Sequence, residues 1–162
     1  MKLDPSTDLT FTRVIDAPRA LLWECWTTPE HVKNFFVPKP HEVSDCQIDL
    51  RPGGRFNTTF KVDGKEMRND GVCLEVIDGR RLVFTDAYAE GWKPAADPFM
   101  TAIIEFEDHP EGGTTYTATA RHRSADARQQ HEDMGFYDGW GTVATQFEEY
   151  AKTLGAKADA TP

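Results

Sequence analysis

The chain has 162 residues and carries 18 basic against 27 acidic side chains, for a net charge of −9. That balance argues against nucleic acid or an anionic membrane as the main partner. Hydrophobic residues at 39% and aromatics at 11% suffice for one domain with its own core, and no apolar stretch approaches the roughly 20 residues of a membrane span.

Residues 1–8 read as a polar, flexible leader without an apolar signal region, so a cytoplasmic location is the default expectation. Leu9 to Asp16 alternates as a strand, with Leu9, Phe11, Arg13 and Ile15 on one side. Ala17-Pro18 opens a helix with an apolar stripe of Leu21, Leu22, Cys25 and Trp26. Thr28 is positioned to cap, and Pro29 to open, a second short helix through Phe35-Phe36, which Pro38 and Pro40 end.

From His41 the period changes. Glu42–Leu50 and Arg55–Val62 read as strands joined through Arg51-Pro52-Gly53-Gly54. Asp63-Gly64 is a hairpin turn, and the return strand runs over Glu66–Ile77, with Gly71 a bulge or a point of close approach. Asp78-Gly79 turns into Arg81–Ala89, where Leu82, Phe84 and Tyr88 share a face with Asp86. A loop over Gly91–Pro98 carries Trp92, and Phe99–Glu107 and Thr114–Arg123 form the last strands around a turn at His109–Gly113. Alternation puts Met100, Ala102, Ile104 and Phe106 on one inner face, and Tyr116, Ala118, Ala120 and His122 on the other.

Ser124 caps a long C-terminal helix whose apolar residues, Trp140, Val143, Ala144, Phe147, Ala151 and Leu154, recur at helical spacing. Gly135, Gly139 and Gly141 stand beside large aromatics in it, each costing roughly 1 kcal/mol against alanine. Such glycines permit close backbone packing, mark a break between helical pieces, or shape a cavity wall with the aromatics. Residues 156–162 read as a flexible tail. Consecutive strands on tight turns give an antiparallel sheet, and the last helix is the apolar element available to cover it. A curved sheet closed by one helix leaves room for a cavity between them.

No catalytic or metal motif stands out. Cys25, Cys46 and Cys73 are scattered and read as buried free thiols. His131-Glu132 begins like a zinc-protease motif, but Gly135 stands where the second histidine belongs. Nucleophile elbows and glycine-rich phosphate loops are missing from the sequence. No metal or organic cofactor is implied, and a homodimer is left open.

Several segments resemble a known family when read in order. They are Arg13 with Ala17-Pro18 and Leu22-Trp23, Trp26-Thr27 before Pro29-Glu30, Gly53-Gly54-Arg55-Phe56, Asp63-Gly64, Gly71 with Glu75, Arg81-Leu82-Val83-Phe84-Thr85, Gly113-Thr114 and Gly139-Trp140. Over residues 9–155 the chain resembles the homologues of the heat-shock protein 90 ATPase activator, in the START-like (SRPBCC) superfamily. Asp78-Gly79-Arg80 departs from the Pro-Pro that relatives often carry there; both make a turn. The resemblance implies an α+β helix-grip fold: a curved seven-stranded antiparallel sheet around a long C-terminal helix, with two short helices after the first strand.

The expected function is binding of a small, largely hydrophobic molecule between sheet and helix. The candidate lining is Trp92, Phe99, Tyr116, Tyr137, Trp140 and Phe147 with Met100 and Met134, completed by Phe84, Tyr88, Ile104 and His122. The competing reading of these side chains is an ordinary filled core. A cyclase- or hydrolase-type enzyme is a second hypothesis, with Asp86, Tyr88, His122 and Asp138 as candidate acid–base groups. A chaperone ATPase cofactor, as the family name suggests, is the third.

Overall fold

The computed structural model describes residues 2–160, with side chains through Gly155. Strand β1 (Asp8–Ile15) leads into helices α1 (Arg19–Thr27) and α2 (Pro29–Val32). Strands β2 (Glu42–Ile48), β3 (Phe56–Val62), β4 (Lys65–Asn69), β5 (Val72–Ile77) and β6 (Arg81–Thr85) follow. A small hairpin, β7 (Tyr88–Ala89) and β8 (Lys93–Pro94), precedes β9 (Thr101–Asp108) and β10 (Thr114–Arg121). Helices α3 (Ala125–Asp133) and α4 (Phe136–Ala160) close the order.

All strand pairings are antiparallel. A five-stranded sheet has the order β1-β10-β9-β6-β5, and a three-stranded sheet the order β2-β3-β4. The expected single return strand is divided at Gly71: β4 pairs with β3, whereas β5 pairs with β6. The cause is a close approach of backbones, since a Cβ at Gly71 would stand 2.5 Å from the Thr85 carbonyl oxygen. The sheets stay joined there by the Arg55–Val72 bridge and by amides of Gly53, Cys73 and Phe56 that donate across the seam.

The inner face follows the alternation. Ala102, Ile104, Phe106, Tyr116, Ala118 and Ala120 are buried beneath the helices. Helix α4 lies on this face through Val143, Ala144, Phe147 and Ala151, all buried. The Phe147 ring stands 5.4 Å from Tyr116 and 4.7 Å from Phe35, centroid to centroid. Helix α1 adds Trp26, which is fully buried among Phe35, Phe36, Phe84, Tyr116 and Phe147.

Several local expectations shift. The predicted C-terminal helix is two helices, because Gly135 turns the chain at φ +97° between α3 and α4. Ser124 does cap α3, its hydroxyl accepting from the Ala127 amide at 3.1 Å. Thr28 makes no side-chain cap, and α2 stops at Val32 rather than running through Phe36. The strand expected over Arg81–Ala89 ends at Thr85, whose hydroxyl accepts from the Ala87 amide.

The leader is bonded to the sheet end. Thr7 O accepts from the His122 amide at 3.0 Å, and Lys2 O accepts from Arg121 at 2.9 Å. At the other end the backbone stays helical through Ala160, past the expected start of the tail; Thr161, Pro162 and Met1 lie outside the described residues.

Replacing Gly71 by alanine forces a side chain into the Thr85 carbonyl. A loss of about 2–3 kcal/mol in urea denaturation is expected, with no such loss for Gly64→Ala once its own positive-φ strain of about 1 kcal/mol is allowed for.

Candidate functional site

The interior is packed around Trp26 and Phe147 but not around the first turns of α4. A hollow of about 340 Å³ opens there, walled by Trp26, Phe36, Val37, Pro38, Phe60, Phe99, Met100, Phe136, Trp140 and Val143. His131, Met134, Gly135 and Gly139 complete the rim. A second hollow of about 190 Å³ shares Phe36, Phe60, Phe99 and Met100 with the first and continues toward Phe56, Phe84 and Asp86. The larger volume lies at the lower end of the range for small-molecule sites, and its walls are mostly aromatic and aliphatic.

Each wall is held by a specific contact. The Gln146 side-chain amide on α4 donates to Phe35 O at 3.1 Å and Val37 O at 2.8 Å, and its Oε1 accepts from the Lys39 amide at 2.9 Å. Those bonds pin the Phe36–Pro38 segment beside the helix. The opposite wall is set by Asp86, whose carboxylate accepts from the amides of Phe99 at 2.8 Å and Met100 at 3.1 Å. Arg13 fixes the start of α4 by donating to Gly141 O and the Thr145 hydroxyl.

Glycines thin the remaining wall. A Cβ at Gly139 would meet nothing within 4 Å beyond the helix's own backbone and chain neighbours, although this position borders the hollow. No backbone presses on Gly135, Gly139 or Gly141; at Gly141 the nearest atom is Phe11 Cε2 at 3.9 Å. Close helix packing therefore does not account for the glycines. Gly135 makes the break, and Gly139 leaves space.

The predicted lining residues divide into groups. Phe99, Met100, Met134 and Trp140 border the larger hollow, and Phe84 borders the smaller. Ile104, Tyr116 and Phe147 are fully buried in the filled core instead, where Trp26 packs against the Tyr116 and Phe147 rings. Tyr137 is exposed, one residue out of phase with the inward Phe136 and Trp140. Tyr88 and Trp92 belong to the β7–β8 hairpin and are exposed; the Trp92 ring packs on Gly53, where a Cβ would stand 3.0 Å from it. His122 stands behind His131. Sequence reasoning missed Phe36, Phe60, Phe136 and His131; for Phe36 the signal was present in the Phe35-Phe36 pair before Pro38.

The acid–base candidates are also placed. Asp86 holds the backbone amides of Phe99 and Met100 with its carboxylate. Asp138 faces solvent. His122 and His131 form a buried pair: His122 Nδ1 lies 2.8 Å from Thr7 O, and His122 Nε2 lies 2.8 Å from His131 Nδ1. Burial first, and His122 second, push the His131 imidazole down to about 4. Burial pushes the Cys25 and Cys46 thiols up to about 12 and Cys73 to about 11, so none is a ready nucleophile. Among the described residues, no group of three His, Cys, Asp or Glu side chains is arranged to hold a metal ion. Among the described residues, no helix is long and apolar enough to cross a membrane. Among the described residues, the Trp26 indole N–H and the Tyr116 hydroxyl are buried with no well-formed hydrogen bond, but the indole lies near enough to the hydroxyl to interact with it weakly.

An antiparallel sheet gripping a long helix over a partly empty, apolar interior defines an α+β helix-grip domain. The chain belongs to the Activator of Hsp90 ATPase homolog 1-like protein family, whose model matches residues 16–152. It is similar in structure to a protein from Nitrosomonas europaea, with 44% identity and a TM-score of 0.91, covering 95% of this chain and 99% of that one. A protein from Mycobacterium smegmatis is 28% identical with a TM-score of 0.75, over 90% of each chain. An AHSA1-like protein from Aeromonas hydrophila shares the fold at 17% identity and a TM-score of 0.70, over 91% of this chain and 94% of that one. Among curated proteins, none matches the chain.

Two measurements check the buried polar groups. Because His131 is held near 4 when folded against about 6.5 unfolded, its contribution to stability is full above pH 6.5 and is lost as pH falls toward 4. The loss is expected on the order of 1–3 kcal/mol, and His131→Phe should flatten that part of the pH–stability curve. Tyr116→Phe removes a buried hydroxyl whose polar neighbour is the weakly interacting Trp26 indole N–H, and should change stability by less than about 1 kcal/mol, read from chemical denaturation.

Proposed function

We propose that the protein binds a small, largely hydrophobic molecule in the hollow between the inner sheet and the start of α4. The observation that carries this reading is the unfilled volume at Gly139. Glycine inside a helix costs roughly 1 kcal/mol against alanine, and a Cβ added here would meet no atom within 4 Å beyond its own helix backbone and chain neighbours. A protein with only a core to fill would gain by filling this space. Apolar walls would supply the affinity, and a single cavity-bordering histidine the orientation.

Gly139 also separates binding from folding in a test. Gly139→Ala is expected to raise the melting temperature, while Gly139→Leu blocks the hollow. Fluorescence titration with naphthalene-type probes should show binding to the parent chain, at least about tenfold weaker binding to Gly139→Leu, and similar weakening for Trp140→Ala. Equal binding by all three proteins would place the ligand elsewhere and end this reading.

A further inference from the structure

Resting on that cavity reading, we propose that His131 Nε2 is a hydrogen-bond acceptor at the edge of the hollow, and that the occupant is an apolar ring system bearing one hydroxyl donor. The class is a phenol or a ring alcohol, as opposed to an ether, an ester or a carboxylate.

The assignment starts at a backbone carbonyl. Thr7 O only accepts, so the His122 nitrogen 2.8 Å away, Nδ1, carries a proton and donates to it. In the neutral ring His122 Nε2 is then a bare lone pair. The atom facing it at 2.8 Å, His131 Nδ1, must donate. That leaves the second proton-free nitrogen of the pair, His131 Nε2, as an acceptor. It has no protein partner among the described residues, and it is not among the buried polar atoms sealed from solvent-sized space. His131 is only 8% exposed and borders the hollow, and the proposal places its free edge toward that space.

The surroundings keep this group in place and neutral. Phe99 lies 4.6 Å and Phe136 5.1 Å from the imidazole, centroid to centroid, clamping the ring. No lysine or arginine borders the hollow to balance an anion. Burial further disfavours protonating the imidazole. A lone pair in an apolar space repels the oxygen of an ether, ester or carboxylate, which brings no proton of its own. A hydroxyl satisfies it. Sites that present a buried polar group discriminate strongly between ligands that pair with it and ligands that leave it unpaired. Trp26, Phe36, Phe60 and Trp140 supply flat walls suited to a ring.

The test compares naphthol, its methyl ether, naphthoate and naphthalene by titration near neutral pH, with nitrogen-15 NMR of the imidazoles in the free protein. Naphthol should bind the parent chain at least about tenfold tighter than the methyl ether or naphthoate. In His131→Phe that preference should fall to near unity while naphthalene still binds. The spectra should show both His122 and His131 protonated at Nδ1 and bare at Nε2. Equal affinity for naphthol and its ether, a preference that survives His131→Phe, or a proton on His131 Nε2 would each overturn the proposal and leave the cavity reading standing. Failure of every probe to bind, naphthalene included, would instead overturn the cavity reading, and the tautomer spectra would still decide the state of His131.

Discussion

A single indole sets what the rest of the interior can do. Trp26 has no solvent exposure and touches rings from α4, from the segment after α2, and from β6 and β10. Its side chain therefore fastens α1, the sheet and the last helix into one packed layer, and burying a ring of this size contributes several kcal/mol. Packing this dense on one side of Trp26 is what makes the sparseness on its other side significant. Side chains as large as Phe36, Phe60 and Trp140 border the hollow without closing it, although protein interiors otherwise pack like organic crystals.

The hollow persists because its walls are braced from outside. Gln146 spends its whole amide on the backbone of the Phe35–Lys39 segment, and Asp86 spends its carboxylate on Phe99 and Met100. Neither group needs the hollow to be filled in order to keep its geometry. Collapse would break charge-assisted bonds on one side and amide bonds on the other, with a loss larger than the dispersion gained by filling the gap. Asp86, one of four candidate acid–base groups in the sequence, is thus the strut that keeps the wall in place.

Much of this was legible from periodicity, and the failures have physical reasons. Alternation correctly assigned the inner faces of β9 and β10, and the helical stripe from Trp140 to Leu154 named the gripping helix, because those patterns are local. Which apolar residues face a filled core and which a hollow is not local: Tyr116 and Phe147 are sealed by Trp26, a contact between distant parts of the chain, whereas Phe99, ahead of β9, stays partly open. Tyr137 was a matter of one residue of helical phase, decided by the break at Gly135. Trp92 was drawn away by a positive-φ turn and by Gly53, neither of which a hydrophobic pattern reports. Phe36 entered the site through Gln146, a polar residue with no signature in any motif.

The buried histidine pair sits at odds with an account based on stability alone. Two imidazoles moved into an apolar interior each require a partner, and the pair leaves one nitrogen, open to solvent-sized space, without a protein partner among the described residues. Replacing both by apolar rings of similar shape would remove that deficit and the acid sensitivity with it, at little cost in hydrogen bonding beyond the Thr7 carbonyl, whose other donor is the His122 amide. The fold therefore has no need of the pair for its own cohesion. What the pair would provide, with the tautomers proposed above, is direction: a proton order that starts at a fixed backbone oxygen and ends with one bare nitrogen beside an otherwise apolar space. On the proposed reading, that nitrogen is the polar feature of an otherwise apolar wall, and its role would lie in ligand choice rather than in folding.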